Sequence, residues 1–490
     1  MLRIRSRFRD SAVAAMLLAT AAGCMTNPAT GARQFSLISE AQEIQLGQEY
    51  DQQFVAELGL YPDQSLQQYV QQIGQRMAAL SERPNLPWSF RLVDDPVVNA
   101  FALPGGYIYV TRGILAHLNS EAELASVIGH EIGHVTARHS VARMSSQQLA
   151  QLGLGIGSIL RPDLQPVVDV AGVGLGLLFL SYGRGDEREA DDLGLRYMSR
   201  AGYDPREMPG VFSMLEAVSE AHGGGRIPEW LSSHPDPGNR RDRILEQIAQ
   251  LPDTLGSRTI ERTQYLRRLD GLIFGENPRE GFFRGQEFLH PEMAFRLTFP
   301  TGWQTRNMKQ AVIAVSQNQD AIIELQLAEQ SSPEAAAREF FMQQGVRGGP
   351  ARSTTINGLP AATGTFMAQS QSGSLFGAAA FISHGGQVFQ LLGYSPEQRW
   401  NAYQNAIIGA IESFARLTER AALDVQPQRI RIVEVNRQMT LESFAAEYAP
   451  GVDVETIALL NNLRPGAILV PGQLAKAVTG NPPPGASSAR

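Results

Sequence analysis

Cysteine is almost missing: Cys24 is the single one in 490 residues. This excludes a disulfide framework and a cysteine-ligated zinc site, so any metal must be held by histidines and carboxylates. No long basic block is present and the net charge is −7, which argues against nucleic acid as the main partner. Apolar runs long enough to span a bilayer are also missing. Ala12 to Ala19 is far too short, and Val167 to Leu180 has Asp169 inside it and reads better as a buried or cleft-covering helix, so no transmembrane helix is expected. Gly153, Gly155 and Gly157 do not match G-x-G-x-x-G and follow no strand pattern, so they read as packing glycines rather than a nucleotide loop.

What the chain does have is length. With 43% hydrophobic residues over 490 positions, it can build two to four domains, each with a core of its own. At its head, Arg3, Arg5, Arg7 and Arg9 precede the short apolar stretch, the layout of an export signal. Ala21-Ala22-Gly23-Cys24 resembles a bacterial lipobox, so residues 1–24 are expected to be a signal peptide ending in a lipidated Cys24. Several acyl chains give the stable anchoring that one does not. Met25 is not Asp, which by resemblance to Gram-negative lipoproteins points to the periplasmic side of the outer membrane.

The chemistry centres on His130-Glu131-Ile132-Gly133-His134. Ser120 and Glu123 make a capping-box start, and Leu124, Val127 and Ile128 recur at helical spacing, so the stretch is expected to be a helix. Residues four apart lie side by side on a helix. His130 and His134 can therefore share one metal ion while Glu131 reaches a water activated by it, the H-E-x-x-H pattern of a hydrolytic zinc site. Gly129 and Gly133 each cost a helix about 1 kcal/mol relative to Ala, which predicts close packing against a neighbour. His139 projects to the opposite face of an ideal helix and reads as a surface or packing histidine. Ala137 and Ser140 stand where the longer metzincin pattern needs Gly and His, so a third ligand must come from elsewhere.

That ligand is sought in Asp186-Glu187-Arg188-Glu189-Ala190-Asp191-Asp192, which opens another helix. Acids in a first helical turn are favoured by the macrodipole in any case. Glu187 and Asp191, however, are four apart and share a face. Glu187 is expected to be the third ligand, Asp191 to hold a zinc-bound histidine by its free N–H, and Glu189 is the fallback ligand. Further upstream, Asn99 to Val110 reads as an edge hairpin turning at Gly105-Gly106. An extended peptide could add to that edge, with Asn99 and Ala100 as contacts.

Together with Ser233-His234-Pro235, these motifs resemble the zinc metallopeptidase family of CAAX prenyl proteases and HtpX-type proteases, and most of all its exported members, over residues 27–262. The resemblance implies a multidomain chain whose 25–265 domain is a mainly α gluzincin-type peptidase with a small β-sheet. It implies one Zn2+ on His130, His134 and Glu187, and Glu131 as general base. It also implies that His234 and Arg240 approach the metal, to stabilise the oxyanion or to gate the site. No fourth protein ligand is evident in the sequence.

From Gly281 the pattern alternates, and 281–418 reads as an α+β domain with a weak likeness to PsbP-like domains around Phe299-Pro300-Thr301-Gly302-Trp303. His290 and His384 read as surface histidines. Residues 428–478 resemble a small βααβ LysM module, which by family binds peptidoglycan, although Asn436 to Met439 replace its usual Gly-Asp turn. The tail 479–490 has linker composition. The expected function is a lipid-anchored zinc endopeptidase that degrades misfolded or unassembled envelope proteins. The alternative is a non-catalytic chaperone or wall-tethered scaffold.

Overall fold

The computed structural model describes residues 24–153, 182–221, 234, 237–251, 258–370 and 373–481. The signal and lipobox residues before Cys24, the stretch 154–181, Ser233, Pro235 and the tail from 482 lie outside them. Two compact units are present, one built from Gly59–Leu272 with Ile430–Val478 and the residues up to Val55, the other around Ile273–Arg429. Among the described residues no helix is long and apolar enough to cross a membrane.

The first unit opens with a ribbon of β1 (Cys24–Thr26) and β2 (Arg33–Phe35). Next come α1 (Glu40–Leu58), whose Ser39 and Gln42 form a capping box, and α2 (Gln64–Ala78), capped by Asp63. A three-stranded sheet follows, with β3 (Ser89–Val93) parallel to β5 (Tyr107–Thr111) and β4 (Ala100–Leu103) antiparallel on its far side. Gly105 and Gly106 take φ of 81° and 103° between β4 and β5, conformations open to glycine, so the hairpin read from the sequence is present. The helices that complete this part are α3 (Arg112–His117), α4 (Glu121–Thr136), α5 (His139–Gly153), α6 (Arg184–Arg200), α7 (Met208–Ala221), α8 (Pro237–Ala249) and α9 (Arg262–Arg268).

Helix α4 is the centre of the unit, buried continuously from Ala122 to Thr136. Its start differs slightly from the expected capping box. Ser120 Oγ accepts the Glu123 N–H at 3.1 Å, but the Glu123 carboxylate takes the N–H of Asn119 rather than that of Ser120. The glycines on α4 pack as predicted. A Cβ on Gly133 would lie 2.9 Å from the carbonyl oxygen of Ala190, and one on Gly194 would lie 2.9 Å from the backbone nitrogen of His130. Side-chain-free surfaces therefore let α4 and α6 meet backbone to backbone.

The second unit is α+β. An antiparallel sheet runs in the order β12-β14-β15-β16-β11-β10-β9, with β13 paired to β14, and a smaller one in the order β17-β8-β7-β6. In chain order the strands are β6 (Phe282–Arg284), β7 (Glu287–His290), β8 (Phe295–Thr298), β9 (Gln304–Asn307), β10 (Ala311–Val315), β11 (Ile322–Ala328), β12 (Val346–Gly348), β13 (Arg352–Ile356), β14 (Leu359–Ser370), β15 (Gly373–His384), β16 (Gln387–Pro396) and β17 (Ala415–Arg416). Helices α10 (Pro333–Met342), α11 (Trp400–Ser413) and α12 (Arg420–Leu423) lie between or after them. In β8, Phe295 and Leu297 are buried while Arg296 and Thr298 face solvent, the period of two read from the sequence. His290 is half-buried, and its Nδ1 accepts the Met293 N–H at 3.2 Å.

The chain then returns to the first unit with β18 (Arg429–Glu434), β19 (Met439–Thr440), α13 (Leu441–Tyr448), α14 (Val454–Asn461), β20 (Ile468–Leu469) and β21 (Leu474–Thr479). β18 pairs with β21 and β19 with β20. Ile430 exchanges main-chain hydrogen bonds of 2.8 Å with Gly271 and Leu272. This C-terminal piece is therefore grouped with the residues around α4.

Candidate metal centre

Helix α4 presents His130 and His134 on one face, and their Nε2 atoms lie 3.0 Å apart. Across the glycine contact, α6 places Glu187 Oε1 3.4 Å from His134 Nε2 and Glu187 Oε2 3.5 Å from His130 Nε2. His234 comes from outside both helices, with Nδ1 3.2 Å from His130 Nε2 and 3.0 Å from Glu187 Oε1. These four buried residues are the one group among the described residues whose donor atoms converge tightly enough for a metal ion. Tetrahedral zinc with bonds of about 2.0 Å has donor–donor edges of about 3.3 Å, and the observed separations match that edge. The donors are the histidine nitrogens and carboxylate oxygen that zinc takes, so the set fits the ion that the sequence implies.

Glu131 lies beside this group and is fully buried, and neither carboxylate oxygen has a hydrogen-bond partner among the described residues. His234 Nε2 lies 3.6 Å from its Oε1. Burial pushes the Glu131 carboxyl up to about 8, helped by the Glu187 charge and opposed by His234 and Arg240. Burial also lowers His130 and His134 below the usual histidine range, which favours the neutral imidazole that binds metal. For Glu187, burial alone would raise the value, but His234, His134 and Arg240 outweigh it and hold the carboxyl well below its usual range.

Asp191 and Arg240 support the donors. Asp191 Oδ1 lies 3.0 Å from His130 Nδ1, where it can accept that ring's free N–H. The Arg240 guanidinium donates from Nε and Nη2 to the two Asp191 oxygens at 2.8 and 2.7 Å, and its Nη1 lies 2.7 Å from Glu187 Oε2. Arg240 is thus engaged by two carboxylates rather than projecting into open space. Glu189, the fallback ligand, is not among the converging donors. It accepts from Asn27 Nδ2 at 2.7 Å and faces His139.

Of the two readings, surface or packing, His139 takes the packing one, but on the His134 side rather than the opposite face. It is buried, its Nδ1 is 2.9 Å from His134 Nδ1, and its Nε2 faces Glu189 at 3.7 Å and Asp186 at 3.9 Å. The helical projection fails because α4 ends at Thr136 and Arg138 takes φ of 58° before α5 begins. That turn swings His139 back toward His134. Sequence reasoning also missed Tyr182, whose ring stacks on His134 with centroids 3.9 Å apart and whose hydroxyl bonds Ser140 Oγ at 2.8 Å. A helix end followed at once by a histidine is the one local signal that could have flagged His139. No fourth ligand was evident in the sequence, yet His234 completes a four-donor group.

Asn99 and Ala100 lie at the start of β4 and are both buried. β4 is at the edge of its sheet and packs against α4, while the Asn99 carbonyl already accepts the Thr111 N–H at 3.1 Å.

Peptidase family M48 matches residues 64–248. The β-barrel assembly-enhancing protease of Yersinia pestis is 34% identical over 233 residues, covering 46% of this chain and 47% of that protein. The mitochondrial metalloendopeptidase OMA1 of Arabidopsis thaliana is 37% identical over 195 residues, covering 39% of this chain and 38% of the relative. The chain thus spans about half or less of the length of these two relatives. A solution structure of PsbP from Synechocystis is 14% identical, covers 28% of this chain and 94% of the other, and has a TM-score of 0.24, too low to bear on fold. The matched stretch 64–248 contains both the histidine helix α4 and the carboxylate helix α6, so in the part that carries the site this chain is similar to peptidase family M48.

Proposed function

We propose that this protein is a zinc metalloendopeptidase in which His130, His134 and Glu187 hold the ion and Glu131 is the general base. The observation that carries the reading is the pairing of a tetrahedrally spaced donor group with a buried carboxylate whose oxygens have no hydrogen-bond partner among the described residues. Zinc bound there supplies a Lewis acid that polarises the scissile carbonyl and acidifies the attacking water. Glu131 takes the proton from that water and passes it to the leaving amine, a task suited to a carboxyl whose proton affinity is raised by burial. Asp191 fixes the tautomer of His130, and Arg240 fixes Asp191 and Glu187. His234 occupies the fourth donor position and must move aside for a substrate carbonyl, so it gates the site.

For substrates, we propose unfolded or unassembled proteins of the cell envelope. The likeness to proteins named β-barrel assembly-enhancing protease supports this, as do the sequence patterns that resemble an export signal and a lipobox at Cys24. The anchor would be lipid at Cys24 on the periplasmic face of the outer membrane, and the LysM-like segment would touch peptidoglycan.

A second reading has one observation in its favour. Structural zinc sites are closed by four protein ligands, and His234 supplies a fourth donor here. Zinc content and cleavage of an unfolded model protein, measured on the chain from Met25 onward, separate the two. A peptidase gives one zinc per chain, with cleavage lost by about 10²–10⁴-fold in Glu131→Gln at unchanged zinc content, and faster cleavage in His234→Ala. Zinc without cleavage in any version would instead establish a structural site in a scaffold protein.

A further inference from the structure

Segment 430–478 sends one buried amino group in toward the start of α4. Lys476, in β21, is 0% exposed, and its Nζ donates to the carbonyls of Ala116 at 2.7 Å and Leu118 at 2.8 Å. An ammonium group is rarely buried without such compensation. Those two carbonyls end α3 and begin the short link into α4, which carries His130, Glu131 and His134.

The lysine is itself held from behind. Buried Asn461, at the end of α14, accepts the Lys476 N–H at 2.8 Å and donates to the carbonyls of Lys476 and Ile457 at 2.8 and 2.9 Å. α14 also packs against α3 and α7. On the other side of the link, the Asn119 N–H donates to Glu123 Oε2 at 2.5 Å, and Ser120 Oγ caps the Glu123 N–H while donating to Glu207. Burial raises the Glu123 carboxyl to about 7 and lowers the Lys476 amine well below its usual range, and the interaction between the two groups offsets part of each shift. From Glu123 to His130 is two turns of helix, about 10 Å.

We propose that Lys476 is a positioning residue for the metal helix. By tying residues 116–119 to segment 430–478 it fixes the start of α4, and the C-terminal segment is thereby a working part of the peptidase, whatever else it binds. The catalytic half of this inference rests on the peptidase reading above, whereas its structural half does not.

Hydrogen exchange on the exported chain, zinc-free and zinc-loaded, tests both halves when paired with steady-state cleavage. Lys476→Met is expected to speed exchange of amides 119–128 by about tenfold or more, the scale of a lost charge-assisted hydrogen bond, with α1 unchanged. Cleavage should lose kcat with KM little altered. Lys476→Met combined with Glu123→Gln should recover part of both, and Arg437→Ala on the exposed face of the segment should change neither. Unchanged exchange at 119–128, or equal acceleration in α1, overturns the proposal. If Lys476→Met does not fold, Lys476→Gln keeps one donor without the charge and must give the same local pattern at smaller size, and uniform exchange in it overturns the proposal equally. A wild-type chain that cleaves nothing defeats the peptidase reading, while the exchange pattern still decides the role of Lys476.

Discussion

Replacing Asp191 with Asn separates two tasks that one buried carboxylate performs. Its oxygens accept two hydrogen bonds from Arg240, at 2.8 and 2.7 Å, and Oδ1 also lies 3.0 Å from His130 Nδ1. The substitution keeps size, removes the charge and turns an amide N–H₂ toward a guanidinium that only donates. Breaking a buried ion pair by neutralising one partner costs about 3–5 kcal/mol. Arg240 keeps Glu187 at 2.7 Å, so the lower end, about 3 kcal/mol, is expected in zinc-free protein. Zinc affinity should fall as well, since loss of a group that orients a ligand typically costs 10–100-fold. The Asn carbonyl can still accept from the His130 ring, which places the loss near tenfold.

Urea unfolding in the presence of a chelator measures the first quantity, and competition with a chromogenic chelator measures the second. Should zinc affinity stay within about twofold of wild type while stability drops, Asp191 serves Arg240 alone and does not orient His130. Glu189→Gln is the internal comparison: Glu189 lies outside the donor group and bonds Asn27, so its effect on zinc must be the smaller of the two.

Gly133→Ala should destabilise the first unit by about 1–3 kcal/mol despite alanine's better helix propensity, because the new Cβ would lie 2.9 Å from the Ala190 carbonyl and 3.2 Å from Leu193 Cβ; a higher urea midpoint would refute the close contact between α4 and α6. The same change moves Glu187 and Asp191 relative to the histidines, so weaker zinc binding should accompany it. In the second unit, burial lowers His290 to about 4, aided by the charge of Arg279, and its Nδ1 accepts from Met293. The unfolded chain binds that proton from about pH 6.5 downward. Stability from this group is therefore complete above about pH 6.5 and is lost as pH falls toward 4, by up to about 3 kcal/mol. Urea melts of the second unit at pH 7 and pH 5 should show the slope, and His290→Gln should flatten it.

The local parts of the site were legible in the sequence for a physical reason. His130 and His134 are four residues apart in one helix, as are Glu187 and Asp191 in another, and helical periodicity fixes which side chains share a face. The choice of Glu187 over Glu189 needed more, because it depends on how α4 meets α6 through Gly129, Gly133 and Gly194. His139 was misplaced because an ideal helix was extended through Arg138, where the backbone turns left-handed. His234 and Lys476 were beyond any periodic signal: one reaches His130 across 104 positions, the other Ala116 across 360. A pattern of spacing reports neighbours within a few turns. It does not report which distant loop or strand the tertiary fold returns to the same place.

Arg240 shows what the distant elements add to the motif. A divalent ion held by neutral His130 and His134 would meet the carboxylates of Glu187 and Asp191 and, once its proton is given up, that of Glu131, all buried. That set alone would leave one excess negative charge in a low-dielectric site, which burial penalises heavily. Arg240 comes from α8 and supplies the missing positive charge, and it touches the carboxylates of Glu187 and Asp191 while leaving Glu131 without a hydrogen bond from it. Had the guanidinium bonded Glu131 instead, it would have held that carboxylate ionised and made it a poor base. On the proposed peptidase reading, the placement of the arginine would therefore divide the three acids by task, two to hold and one to transfer.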